Sequence, residues 1–282
     1  MRVTTLIEND RIEDRDDLVA EFGLSLHVDT GESRVLFDTG STGAFADNAD
    51  ALGIDLSAVD LAVLSHQHFD HGGGLERFFK INRQAKVYLR RSNIANRFFK
   101  GLTEESHPVG IELSLFERHS DRFVFINRTA EIAPNVFLLT DIPSTHPRPQ
   151  GNSHLYVERG GRLRKDPFDH ELVMVVRAVD GLVVFSGCAH NGILNMIDAA
   201  ANHRPEDRIQ AVIGGFHLMG VPQSDSMAGS RAEVEHIGRR ILELGPSKVY
   251  TSHCTGEKAF QVLQGVMGET LEAFHTGSII EV

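Results

Sequence analysis

Apolar positions along this 282-residue chain follow two periods. Some runs alternate with polar residues or are apolar throughout, as strands require. Others recur every three to four residues, as helices require. Near the start, VTTLIEN predicts a strand. FGLSLHVD and RVLFDTG predict a strand pair around a TGES turn. TGAFADNADALGI predicts a short helix. DLAVLSH is apolar until its end, which suits a strand covered on both faces. LERFFKIN then predicts a helix and AKVYLRR a strand.

The second half repeats the scheme. ELVMVVRAVDGLVVFSGC predicts a hairpin with Asp180-Gly181 at its turn. ILNMIDAAAN predicts a helix and IQAVIGGF a strand. SRAEVEHIGRRILEL predicts an amphipathic helix, capped by Ser230 and stopped at Gly245. KVYTSH, EKAFQVLQGVM and SIIEV predict a strand, a helix and a last strand. The alternation points to an α/β fold. One domain over residues 1–282, with two sheets between outer helices in four layers, fits it best. Residues 92–135 show no clear period and offer a surface for a homodimer. Residues 143–170 carry Pro143, Pro147, Pro149 and Pro167 around ERGGR, and predict a loop that could form part of a lid.

Composition narrows the function classes. Apolar residues make up 41% and charged residues 24%, as in ordinary globular proteins. The formal net charge of −11 repels a nucleic-acid backbone, so no nucleic-acid partner is expected. Local basic stretches, Arg90-Arg91 and Arg159 to Lys165, remain as candidate anion contacts. Cys188 and Cys254 cannot build a disulfide framework and suit a reducing compartment. The first residues turn acidic before any apolar region develops. No run approaches the ~18 apolar residues needed to span a bilayer. The expectation is a cytoplasmic protein with no membrane partner.

The densest chemistry lies in LSHQHFDHGGGL, residues 64 to 75. His66 and His68 are two apart, so on an extended segment they point the same way. Asp70 and His71 follow as the chain turns. Imidazoles and a carboxylate are donors that a borderline divalent metal prefers. Gly72 to Gly74 permit a sharp turn and tight packing where a helix begins. Later strand ends carry more donors: Cys188 and His190 in VVFSGCAHNGI, His217 in VIGGFHLMG, and His253 and Cys254 in VYTSHCTG.

LSHQHFDHGGGL resembles the His-x-His-x-Asp-His signature of the metallo-β-lactamase superfamily, and VLFDTG resembles that fold's preceding motif. The resemblance implies an αβ/βα sandwich with two divalent metal ions, zinc first, with iron or manganese also suited. It implies His66 and His68 at one metal and Asp70 and His71 at the other. Asp38 would lie beneath, orienting an imidazole. His253 matches the family's last ligand, and Cys188 stands where the family has an Asp or, in some branches, a Cys. The family's His in a TPGHT-like stretch has no clean match. His190, His170 and His146 remain open for that role, with His190 favoured by its place beside Cys188.

GCAHNGILN, GGFHLMG, HCTGEKA and TDIP together resemble the branch that includes 7,8-dihydropterin-6-methyl-4-(β-D-ribofuranosyl)aminobenzene 5′-phosphate synthase. That implies a small anionic, phosphorylated substrate and a role in making methanopterin-type cofactors. A hydrolase of phosphodiesters, thioesters or lactones, using metal-bound hydroxide, is the first alternative. A metal-retaining binding or sensing protein is the second. Asp70 and His217 are the expected catalytic residues. Gly215, His217, Thr255 and Gly256 are the expected substrate contacts, the glycine-flanked amides suiting an anion. Arg148 and Arg90 are weaker candidates for the same charge.

Overall fold

The computed structural model describes residues 1–101, 105–221 and 226–282. The chain divides into two compact units. The first comprises residues 1–127, 155–171 and 275–281, and the second residues 128–154, 172–274 and 282.

The first unit is built on a seven-stranded sheet. Its order is Ile279–Glu281, Arg2–Ile7, Ser25–Asp29, Arg34–Phe37, Leu61–Val63, Lys86–Arg90 and Phe123–Ile126. The TGES hairpin pairs Asp29 with Arg34. From Arg34–Phe37 onward the strands run parallel. That direction sends the chain after Phe37 and after Val63 to the same sheet edge, where Asp38 and the histidine-rich loop lie. Helices Ala44–Ala51 and Leu75–Ile81 lay Phe45, Ala49, Leu75 and Phe78 against Leu36, Ala62 and Val87 of the sheet. Burying each of the larger side chains among these contributes about 1.5–3 kcal/mol.

The second unit repeats the plan. Its seven-stranded sheet has the order Leu271–Glu272, Lys248–Tyr250, Ile209–Gly214, Gly181–Ser186, Val173–Ala178, Val136–Leu139 and Ala130–Ala133. The four strands from Gly181–Ser186 to Leu271–Glu272 are parallel to their neighbours. Helices Ile193–His203, Arg231–Glu243 and Glu257–Met267 cover a core that includes Val184, Val212, Val249, Ile197, Val234 and Leu263. Ser230 caps Arg231–Glu243 through a full capping box with Glu233.

Two local expectations change. The hairpin turn is Val179-Asp180, because Ala178 pairs with Gly181. Gly181 opens the next strand at φ 142, where a Cβ would lie 2.4 Å from the Arg208 carbonyl oxygen. The stretch 143–170, expected as a loop, contains a hairpin of Leu155–Arg159 and Arg162–Lys165. In the first unit this hairpin joins Arg97–Lys100 and Ser106–Pro108 in a four-stranded sheet. Its partners are far away in sequence, so short-range pattern carried no sign of it. Residues 102–104, within the aperiodic 92–135 stretch, lie outside the described residues. Among the described residues, no helix is long and apolar enough to cross a membrane.

Candidate metal centre

Each unit gathers its own donors. In the first unit, His66, His68, Asp70 and His71 are 0%, 5%, 6% and 0% exposed. Unpaired burial of so many polar groups is costly, so their hydrogen bonds decide what they can do. Asp38 is the anchor. Its carboxylate accepts from the Ser65 amide (2.7 Å) and hydroxyl (2.7 Å), and lies 2.6 Å from His71 Nδ1. A carboxylate only accepts, so His71 Nδ1 carries the proton and Nε2 keeps a lone pair. That Nε2 lies 3.6 Å from Asp70 Oδ2. Ser65 gives its one proton to Asp38, so it accepts from His66 Nδ1 at 2.9 Å. His66 Nε2 therefore also keeps a lone pair.

This nitrogen lies 3.1 Å from His68 Nδ1. Two nitrogens bound tetrahedrally to one metal at about 2.0–2.1 Å would be roughly 3.3 Å apart. The spacing fits a shared ion. Burial, then the neighbouring His170, push the His68 imidazole down to about 3, so it is neutral at ordinary pH. Neutral imidazoles and a carboxylate are a suitable donor set for a divalent metal.

The glycines after the motif serve close approach. Gly73 and Gly74 have ordinary helical backbone. A Cβ on either would lie 2.0 Å from the Ser41 carbonyl oxygen or 2.3 Å from that of Thr39.

In the second unit, three parallel strands end at one sheet edge, the usual place for a site in an open α/β sheet. Cys188 and His190 follow the first strand, His217 the second and His253 the third. Cys188, His190 and His217 each bring one donor atom within 4.8 Å of the others. Asn152 fixes His190. Its Nδ2 donates to the His190 carbonyl at 2.7 Å, so its Oδ1 is the acceptor lying 2.9 Å from His190 Nδ1. His190 Nε2 thus carries a lone pair. The sequence reading missed Asn152, because nothing marks an asparagine 38 residues upstream as a partner.

Of the other two histidines left open, His146 lies 3.1 Å from Asp198 Oδ2, partly exposed. His170 is fully buried in the first unit, with Nδ1 accepting from the Gln67 amide at 3.0 Å. Burial and the Arg97 charge both lower its pKa. Burial raises the Asp166 carboxyl, but His170 and Arg97 outweigh it and hold Asp166 well below the usual carboxylate range.

The expected anion-facing amides are partly spent inside the fold. Gly215 donates to the Gly187 carbonyl at 2.9 Å. A Cβ there would lie 2.5 Å from Cys254 Sγ, so the glycine answers to packing. Thr255 Oγ1 accepts from the Phe216 amide at 3.0 Å and pairs with Thr251 Oγ1 at 2.6 Å. Gly256 begins the last long helix at φ 75. The His217 amide points at Cys254 Sγ, 3.3 Å away. Burial alone would raise the Cys254 thiol. The bond to Cys188 and the charges of His253 and His217 outweigh it, and the thiol is lowered. Arg90 donates to the Glu171 carbonyl at 2.9 Å in the first unit.

Backbone strain concentrates at these loops. Asp38, Ala189, His217 and His253 all have φ between 51° and 60°. Such conformations cost non-glycine residues about 1–3 kcal/mol each and persist where the surroundings impose them.

A buried, carboxylate-oriented histidine cluster at parallel strand ends gives this α/β protein a donor set that could hold a divalent metal. The family model for the metallo-beta-lactamase superfamily matches residues 19–253, and the chain belongs to that superfamily. The match runs through both units. Over 93% of its length the chain is 28% identical to 7,8-dihydropterin-6-methyl-4-(beta-D-ribofuranosyl)-aminobenzene-5'-phosphate synthase of Methanocaldococcus jannaschii, covering 90% of that protein. It is 33% identical to Tm1679, described as a metal-dependent hydrolase of the beta-lactamase superfamily. That alignment has a TM-score of 0.82 and covers 100% of this chain and 99% of the other. A diphosphatase of the PhnP family shares the fold at 16% identity and a TM-score of 0.53, covering 100% and 97%.

Proposed function

We propose that this protein is a metal-dependent enzyme acting on a small, phosphorylated anion through a binuclear centre. The spacing of His66 Nε2 and His68 Nδ1, over a carboxylate-oriented His71, carries the reading. The family's ligand order supports the remaining donors: His66, His68, Asp70 and His71 in the first unit would be ligands, and so would Cys188, His190 and His253 in the second. Zinc suits this mixed nitrogen, oxygen and sulfur set best.

Divalent ions in such a centre supply Lewis acidity: they acidify water and neutralise charge on a phosphate or departing pyrophosphate. The chain's own groups do the rest. Asp38 and Asn152 fix tautomers, so His71 and His190 present lone pairs rather than protons. His217 lies with its ring 4.2 Å from that of His190. Neither of its ring nitrogens has a hydrogen-bond partner among the described residues. We assign it proton transfer to or from substrate at Nε2, the atom facing Gly151. In the second unit a cavity of about 280 Å³ is lined by Arg148, Ile193, Leu194, Phe216 and Leu218. It would take the apolar part of the substrate, with Arg148 toward its charge.

Two reactions fit. The identity to the synthase over nearly the whole chain supports condensation of a phosphoribosyl donor with an aromatic acceptor. The similarity to Tm1679 supports hydrolysis. Elemental analysis of the wild type beside His190→Ala and His253→Ala tests the centre. About two metals per chain, falling with each substitution, is expected; one metal, or no loss, would remove the binuclear reading. Product analysis with and without an aromatic amine separates the reactions, because hydrolysis needs only water.

A further inference from the structure

The histidine motif places Gln67 between His66 and His68, and every polar group of that glutamine is engaged. Its amide donates to His170 Nδ1 at 3.0 Å. Its Oε1 accepts from Arg97 Nη1 at 2.9 Å, and its Nε2 donates to Ser92 Oγ at 2.9 Å. Its carbonyl accepts from the Ile111 amide at 3.3 Å. Gln67 is only 1% exposed.

Behind it stands a buried ion pair. Arg97 Nε lies 3.2 Å from Asp166 Oδ2, with both side chains 2% exposed or less. Asp166 Oδ2 is also 3.4 Å from His170 Nε2. Asp166 Oδ1 accepts from the Phe168 amide at 2.8 Å. Phe168, itself buried, adopts φ 56, an uncommon conformation for a bulky residue. The turn thus holds strain while it seats His170 against Gln67. Buried ion pairs contribute little net stability, since desolvation offsets their attraction. Net stability alone therefore does not account for this pair.

We propose that His170, held by Asp166 and Arg97, is a positioning residue that sets the spacing of His66 and His68, and is not itself a metal ligand. An amide N–H can only donate, so His170 Nδ1 must present its lone pair to Gln67. The ring proton then sits on Nε2, facing Asp166. Neither nitrogen has a lone pair left for a metal. Anchoring Gln67 at backbone and side chain removes the rotation that would splay its two histidine neighbours. All of these groups belong to the first unit, so the pair is spaced before any ion arrives. The inference rests on the metal reading above for its purpose, though not for its geometry.

Two measurements on the full chain test it. Long-range nitrogen–proton NMR of the metal-free protein, with His170 assigned by its loss in His170→Gln, should show the Nε2–H tautomer. The opposite tautomer, or a charged ring at neutral pH, would overturn the assignment. Zinc titration against a competing chelator should give His170→Gln the wild-type stoichiometry with affinity about 10–100-fold weaker. Losing one zinc per chain would make His170 a ligand and overturn the proposal. Gln67→Ala keeps the amide that meets His170 and removes the side-chain contacts to Arg97 and Ser92. It should weaken binding less, and it decides the matter if His170→Gln does not fold. A lowered melting temperature with unchanged zinc affinity in the folded variants would reduce the network to structure and overturn it as well. Wild type that takes up no zinc would defeat the metal reading alone, because the tautomer still decides whether His170 is committed to Gln67.

Discussion

The two units collect metal-type donors by different routes. In the first, four donors come from six consecutive residues after one strand, so one loop fixes most of their spacing. In the second, Cys188 and His190, His217, and His253 come from three strand ends, 27 and 36 residues apart. They meet only because parallel neighbours deliver their C-terminal ends to the same edge. The supports differ in kind too. A buried carboxylate, Asp38, orients His71, whereas a neutral amide, Asn152, orients His190. Hydrogen bonds to a charged group are roughly twice as strong as neutral ones. The contiguous loop should therefore be the stiffer half.

That difference can be broken by substitution. The largest effect should come from His66→Ala, which removes one of two nitrogens 3.1 Å apart. Metal content per chain should fall, with activity lost; full retention of metal would show that the loop is not the centre. Asp38→Asn follows. It leaves His71 Nδ1 without its carboxylate, and zinc affinity should drop 10–100-fold in a chelator competition. Asn152→Ala should cost less, about tenfold, at the low end of the same range. If the two substitutions weaken zinc equally, charge does not distinguish the supports.

Gly215→Ala should act on stability. The new Cβ would meet Cys254 Sγ at 2.5 Å and the Gly187 oxygen at 2.9 Å. Overpacking of this kind costs about 1–3 kcal/mol, readable in urea denaturation. An unchanged midpoint would mean that the strand ends can relax. The smallest effect belongs to Ser230→Ala. Losing that cap should cost about 1 kcal/mol and leave zinc uptake as in wild type. Any change in zinc uptake would show that the helix Arg231–Glu243 is coupled to the donors.

The strands and helices that bury a regular face were legible along the chain. Leu61–Val63 and Gly181–Ser186 are apolar runs, and Arg231–Glu243 carries its own cap. The hairpin Leu155–Arg159 with Arg162–Lys165 was not legible. Among prolines and charges its apolar pattern is weak, and its stabilising partner, Arg97–Lys100, lies more than 50 residues upstream. Gly215 shows a subtler limit. A glycine beside a candidate histidine suggests an open amide, but the same residue is equally demanded by a sulfur atom packed against it.

The sequence alone determined the α/β alternation and the family, because side-chain periodicity and a six-residue donor motif are local properties. The family resemblance also placed Asp38 beneath the motif, and the structure gives the reason: the strand before it runs parallel to the strand before the histidines. Only the tertiary structure decided which nitrogen of each histidine holds a proton. That choice depends on Asp38, Asn152 and Gln67, which lie 33, 38 and 103 residues from the rings they touch. Hydrogen-bond partners so distant in sequence leave no periodic trace, because folding brings them together through the backbone of other elements.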